Sequence, residues 1–271
     1  MKDIKDQTIL VTGSTDGIGK LTALKIADKG AHVIIHGRNA EKVNKAVVEI
    51  KGISGSQKIK GFTADFSSLK GVRKFAGELK KDYKQIDVLI NNAGVGFADE
   101  RYSKDGYELR FAVNYLAPFL LTNLLLPEIK KAAPSRIVNV SSAGQSPVNF
   151  EDVMLKKNFN STLAYCQSKL ALIMFTIDMA DILKDENITV NSLHPGTYLN
   201  TNMVRRSNIT PWGEPESGAD AEVFLATSPL LKNITGKYFN VKTETKAESQ
   251  AYDKEARKRL WKLSLELTKL K

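Results

Sequence analysis

Between Thr8 and Phe239, short apolar runs alternate with longer stretches of helical periodicity, and few architectures accept that order. The pattern predicts strands over 8–12, 31–36, 59–63, 88–91, 136–141, 188–193 and 237–239. Helices are predicted over 19–29, 40–51, 69–81, 107–131 and 165–184. Several of the strand runs are apolar on both faces, as in Ile188-Thr189-Val190, which suits strands buried between two helical layers. Alternation of this kind predicts an α/β fold, a doubly wound, seven-stranded, mostly parallel sheet with right-handed crossovers. Its helices lie on both faces, giving a three-layer αβα sandwich. No linker, repeat or low-complexity tract divides the chain, so residues 1–271 are read as one dinucleotide-binding catalytic domain.

The first strand runs into Thr12-Gly13-Ser14-Thr15-Asp16-Gly17-Ile18-Gly19, and a helix follows. Glycines permit a tight turn and close approach of backbone to a pyrophosphate. The free N–H groups and positive dipole end of the helix then favour the phosphates. This strand–glycine turn–helix context makes the sheet Rossmann-type, although the spacing is Gly-x3-Gly-x-Gly rather than Gly-x-Gly-x-x-Gly. The second strand ends at His36-Gly37-Arg38, with no carboxylate for a ribose 2′-hydroxyl and an arginine for a 2′-phosphate. That favours NADP(H), with NAD(H) possible. Asp65, before Phe66, is placed either to accept from an adenine amino group or to cap the next helix. Asn91-Asn92-Ala93-Gly94 closes the fourth strand, where small residues let a cofactor lie on the backbone.

Tyr165 and Lys169 stand four apart, on one face of a helix. A phenol titrates near ~10, so poising it near ~7 requires about 4 kcal/mol of phenolate stabilisation. A fixed ammonium nearby is one way to supply it. Ser141 and Ser142 end the strand upstream, and spacing does not separate them. Cys166 points off the Tyr165–Lys169 face. His194, beside Pro195, reads as structural. Three scattered histidines and one cysteine make no metal site.

Together these residues resemble the short-chain dehydrogenase/reductases: the glycine turn, Asn91-Asn92-Ala93-Gly94, Asn114, Ser142, Tyr165-x3-Lys169 and His194-Pro195-Gly196-Thr197. The likeness is closest to the retinol dehydrogenase-like branch, through Arg136 to Ser142, Ala164 to Ala171, Gly236 to Phe239 and Leu260-Trp261. The resemblance implies a hydride transfer between a nicotinamide cofactor and a small-molecule carbonyl or alcohol. Tyr165 is then the general acid-base, Ser142 holds the substrate oxygen, and Lys169 lowers the Tyr165 pKa and binds the nicotinamide ribose. Asn114 holds Lys169 through a water, and Pro195, Gly196 and Thr197 place the carboxamide. The chain departs from that branch at Ala117-Pro118, where Gly-His is usual. A catalytically silent NADP(H)-binding regulator is the alternative that the intact Ser142, Tyr165 and Lys169 argue against.

The net charge of +10 invites a nucleic-acid reading. Basic residues are spread along the chain, however, without aromatic interleaving, so a solvated lysine-rich surface is expected. No apolar run of membrane-spanning length is expected, nor a signal peptide, which places the chain in the cytoplasm without membrane insertion. Monomer and homodimer both stay open. Ala256, Leu260, Leu263, Leu267 and Leu270 predict an amphipathic helix over about 250–270, docked on its own domain. The stretch 198–217 is expected to be a lid loop, and Phe150, Met154 and Phe159 to wall the substrate pocket.

Overall fold

The computed structural model describes residues 1–270 apart from Phe97, Asp99 and Asn208. Its strands are β1 (Thr8–Val11), β2 (His32–Gly37), β3 (Ile59–Thr63), β4 (Val88–Asn91), β5 (Ser135–Val140), β6 (Ile188–His194), β7 (Tyr238–Asn240) and β8 (Thr243–Thr245). They form one sheet in the order β3-β2-β1-β4-β5-β6-β7-β8. Every pairing is parallel except β7 with β8. The eighth strand corrects the expected seven. Thr243-Glu244-Thr245 is exposed on both faces and carries no apolar pattern, so backbone pairing alone defines it.

Strand order reverses between β1 and β4, and side chains alternate across the sheet. Leu10, Ile34, Leu89 and Ile137 face α3 (Leu69–Asp82), α5 (Ala117–Lys131) and α6 (Ser161–Ile182). Ile9, Val11, Val33, Ile35, Val88, Ile90 and Val138 face α1 (Gly17–Asp28), α2 (Ala40–Ser54) and α8 (Pro215–Thr227). Helix α8 was not anticipated, because its apolar residues do not form a clean stripe beside Glu216, Asp220 and Glu222.

A short α4 (Leu109–Phe111) passes through a π turn (Ala112–Leu116) into α5. Pro118 has no N–H to give the Asn114 carbonyl four residues back, a sequence cause for the widened turn. By length and composition Leu109–Lys131 is apolar enough to cross a membrane, with an 18-residue window of mean hydropathy 1.4, contrary to the sequence expectation. Yet 83% of that 18-residue window is buried in protein, the environment of a core helix. The lid stretch holds a helical turn, α7 (Asn202–Arg205), and its end already belongs to α8.

The C-terminal helix α9 (Lys254–Thr268) packs on the same domain. Leu260 is fully buried, and Trp261 meets Phe119 edge-on at 5.1 Å and stacks on Phe175 at 6.0 Å. Full burial of a leucine contributes roughly 1.5–3 kcal/mol. Arg257 ties the helix to Asp178 of α6 at 3.0 Å, and Arg73 of α3 donates to the Thr268 carbonyl at 2.6 Å.

Candidate active site

The glycine turn is stitched to the end of β4. Thr12 Oγ1 accepts from the N–H groups of Asn92 and Ala93, both at 3.0 Å. The Asn92 amide in return donates to the carbonyls of Thr12 and Gly13 at 2.8 and 3.0 Å. Gly13 has φ +66°, and a Cβ there would stand 2.7 Å from Ala93 Cα; one on Gly19 would stand 2.5 Å from the Gly13 carbonyl. Close packing thus requires both glycines.

His36 completes the turn and was missed by sequence reasoning. Its Nδ1 accepts from Gly13 N–H at 3.1 Å, so Nε2 carries the proton and donates to the Ala64 carbonyl at 3.0 Å. Burial pushes its pKa down to about 4, which keeps the ring neutral and this tautomer available. A histidine closing an apolar strand is the only sequence signal, and it does not distinguish a brace from a surface residue.

Several nominated cofactor residues have tasks inside the fold. Ser14 donates to the Val11 carbonyl at 2.7 Å and accepts from His36 N–H at 2.9 Å, so its hydroxyl faces inward. Phe66 stacks on His36 at 4.1 Å, leaving only its backbone for an adenine. Thr15 lies over Gly37. Asp16 caps α1 through Gly17 N–H at 2.8 Å and also accepts from Asn202. Asp65 does not cap α3, whose cap is Ser68. Burial raises the Asp65 pKa, but an ion pair with Lys104 at 2.8 Å and the Ser67 N–H outweigh it, leaving the carboxyl below its usual range. Arg38 is exposed at the end of β2, and Ile18 lies beside Gly218 of α8.

The second half of the site gathers at the ends of β4, β5 and β6. Asn160 caps α6, which places Tyr165 in its second turn rather than its first. Ser141 and Ser142 separate here. Ser141 Oγ donates to the Lys169 carbonyl at 2.7 Å, inside the fold, while Ser142 Oγ accepts from Gly144 N–H at 3.0 Å and lies close enough to the Tyr165 phenol to lower its pKa. Tyr238 donates to the Ser142 carbonyl at 2.9 Å and steadies it. Lys169 Nζ lies 5.6 Å from the centre of the Tyr165 ring and donates to the Val140 carbonyl at 2.8 Å.

Burial raises the Tyr165 pKa above its ordinary value, and the neighbouring Ser142 hydroxyl offsets only part of that. The expected poise near neutrality is therefore not present in the protein alone. Burial also pushes Lys169 down to about 8, against an opposing pull from Glu222. With a pKa of about 8 the ammonium still carries its charge at neutral pH and stays available to favour a phenolate.

Asn114 Nδ2 donates to the Val95 carbonyl and to Ser168 Oγ, both at 3.0 Å, and its Oδ1 accepts from Val95 N–H at 2.7 Å. Its side chain thus holds Ser168, the residue next to Lys169. Gly94 lies between them, since a Cβ there would stand 3.3 Å from Asn114 Oδ1 and 3.5 Å from Lys169 Nζ.

Buried Arg110 donates to the carbonyls of Gly96, Ala98 and Glu100 at 3.0, 2.7 and 3.1 Å, fixing the chain after β4. Gly96 borders both Met203 of α7 and Tyr165. Pro195 is buried, Gly196 has φ +138°, and Thr197 bonds His194 Nε2 at 3.0 Å, consistent with a structural His194. Phe159 lies over Arg101 at 4.5 Å, whereas Met154 and Phe150 pack against the core.

Glu222 of α8 is fully buried, accepts from Thr22 of α1 at 2.8 Å, and burial raises its pKa to about 8. The folded chain then holds a proton that the unfolded chain releases above the ordinary glutamate value of 4.5. Stability accordingly falls as pH rises between those values and stays lost above. Glu222→Gln keeps the acceptor for Thr22 and cannot ionise. Urea midpoints at pH 5 and pH 9 should differ less in the variant than in the parent; equal differences would refute the assignment.

The short chain dehydrogenase family model matches residues 7–212. Mouse retinol dehydrogenase 13 is 37% identical over 284 residues, with 98% of this chain and 85% of that protein covered. An uncharacterised protein from Mycobacterium Paratuberculosis superposes with a TM-score of 0.80 at 30% identity, covering 97% of this chain and 94% of that one. The Pseudomonas aeruginosa RhlG/NADP active-site complex gives a TM-score of 0.71 at 28% identity, covering 89% and 97%. The chain belongs to the short-chain dehydrogenase/reductase family. It is an NAD(P)-dependent oxidoreductase acting on CH–OH or C=O groups.

Proposed function

We propose that the protein is an NADP(H)-dependent reductase and dehydrogenase of small-molecule carbonyls and alcohols, with Tyr165 as its general acid-base. The observation that carries this is the gathering of Ser142, Tyr165 and Lys169 at the strand ends, beside a glycine turn that leaves β1 and opens α1. The residues suit a dinucleotide: Gly13, Gly17 and Gly19 bring no side chains to the turn between β1 and α1, Ala93 and Gly94 are small, and Arg38 is exposed at the end of β2. Gly13, Gly17 and Gly19 would hold the pyrophosphate, Arg38 the 2′-phosphate, Lys169 the ribose, and Pro195 to Thr197 the carboxamide. When bound, a nicotinamide cofactor supplies or takes the hydride.

In the reducing direction, Ser142 holds the carbonyl oxygen and Tyr165 gives it a proton. The raised pKa of Tyr165 keeps the phenol protonated, the form that this direction needs. Lys169, next to the ring, favours the phenolate left behind.

The test is to mix protein and NADPH with a panel of aldehydes and ketones and to follow absorbance. All-trans-retinal belongs in the panel because the mouse relative is named a retinol dehydrogenase. Turnover supports the reading; tight NADPH binding without turnover on any substrate favours the silent regulator. Arg38→Glu is expected to weaken NADPH binding on the order of 100-fold, the size of a lost charge-assisted phosphate contact plus repulsion, and to spare NADH. Equal losses for both cofactors in titrations of intrinsic fluorescence would remove Arg38 from the 2′-phosphate site.

A further inference from the structure

The residue after Asn114 is Tyr115, fully buried in the π turn. Its phenol lies 2.5 Å from Ser264 Oγ, on α9 of the C-terminal segment. Ser264 already donates its own hydrogen to the Leu260 carbonyl at 2.7 Å, so Tyr115 is the donor in this contact. The bond therefore has one direction and one acceptor. Around it, Phe111 lies 5.0 Å and Phe119 6.2 Å from the Tyr115 ring, and Trp261 of α9 closes on Phe119.

A π turn gives up regular i→i+4 bonding, and Pro118 removes one further donor. Such a turn keeps a single geometry only when its surroundings hold it. On the inner side it is held by Asn114, through Val95 and Ser168. On the outer side it is held by α9, through Tyr115 and Ser264. Tyr107, just before α4, repeats the attachment by donating to the Leu267 carbonyl at 3.1 Å.

We propose that the Tyr115–Ser264 hydrogen bond makes α9 a strut of the catalytic centre, and that Tyr115 and Ser264 are positioning residues acting on the reaction through Asn114. The C-terminal helix fixes the π turn, the turn aims Asn114, and Asn114 sets Ser168 and the Val95 backbone beside Lys169. This inference rests on the proposed oxidoreductase function for its kinetic readout and stands apart from it in its structural one.

Tyr115→Phe tests it with little risk to folding, because Ser264 keeps its bond to Leu260 and no buried donor is stranded. The expected result is a fall in kcat of about tenfold for a carbonyl that the parent enzyme reduces, the size of one lost positioning contact. NADPH affinity and the KM of that carbonyl stay within about twofold. The acid and alkaline limbs of the kcat profile also move, which a purely structural bond would not cause. Ser264→Ala and the double variant complete a cycle. The double variant should lose no more kcat than the larger single, because both remove one bond. Additive losses, or an unchanged kcat and pH profile in folded Tyr115→Phe, would overturn the proposal.

If the parent enzyme reduces none of the panel, the proposed function fails while the strut remains testable. Amide hydrogen exchange over 112–118 in the NADPH-bound protein should then quicken about tenfold in Tyr115→Phe. Unchanged exchange there would overturn the strut itself.

Discussion

Tyr165→Phe is expected to lower kcat for carbonyl reduction by about 10²–10⁴-fold, the usual contribution of a positioned acid-base group. Ser142 would still hold the substrate oxygen, and nothing would remain to give it a proton. The variant retains the ring packing against Lys169 and Gly96, so NADPH affinity should change by no more than a few-fold. Single-turnover absorbance traces combined with fluorescence titration separate the two quantities. Retained turnover in Tyr165→Phe would end the case for a phenol as the acid. A loss of cofactor affinity as large as the loss of rate would instead mark Tyr165 as a binding residue.

Gly13→Ala is expected to have the next largest effect, acting on both stability and cofactor binding. Gly13 has φ +66°, and the added Cβ would stand 2.7 Å from Ala93 Cα and 3.1 Å from Ala93 N. Left-handed backbone costs a non-glycine residue about 1–2 kcal/mol, and the collision adds to it. The obstacle is backbone, which cannot swing away as the end of a side chain can. Relief requires the turn to lift from β4, breaking the Thr12 and Asn92 bonds and the Gly13–His36 bond. Stability should fall by about 2–4 kcal/mol in urea titrations, and NADPH binding by more than about tenfold. A variant that keeps parental NADPH affinity would show that the turn does not shape the phosphate site.

Much of this arrangement was legible because it depends on local chemistry. The β-α alternation follows from the burial demanded of each short segment, and two strands, Ile59–Thr63 and Val88–Asn91, have the predicted ends. The glycine turn was legible because left-handed backbone and close approach each admit few other residues. The Tyr165–Lys169 pair was legible from helical spacing. What escaped has no periodic signal. Strand β8 is short, polar and defined by its partner. Helix α8 buries an acid, which a pattern of apolar residues does not anticipate.

The sequence by itself determined the family, the doubly wound sheet and the residues that can carry a proton. These depend on backbone geometry, helical period and side-chain chemistry, all local to a few neighbours in the chain. Only the tertiary structure decided which of two adjacent serines faces Tyr165, because Ser141 turns to a carbonyl 28 residues away. It decided that His36 is neutral, that Ser14 and Phe66 face inward, and that burial outweighs the Ser142 hydroxyl in setting the Tyr165 pKa. It also set Ser264 against Tyr115, across a separation of 149 residues. Desolvation and hydrogen-bond partnership depend on what surrounds a group from every side, and only the folded chain supplies those surroundings.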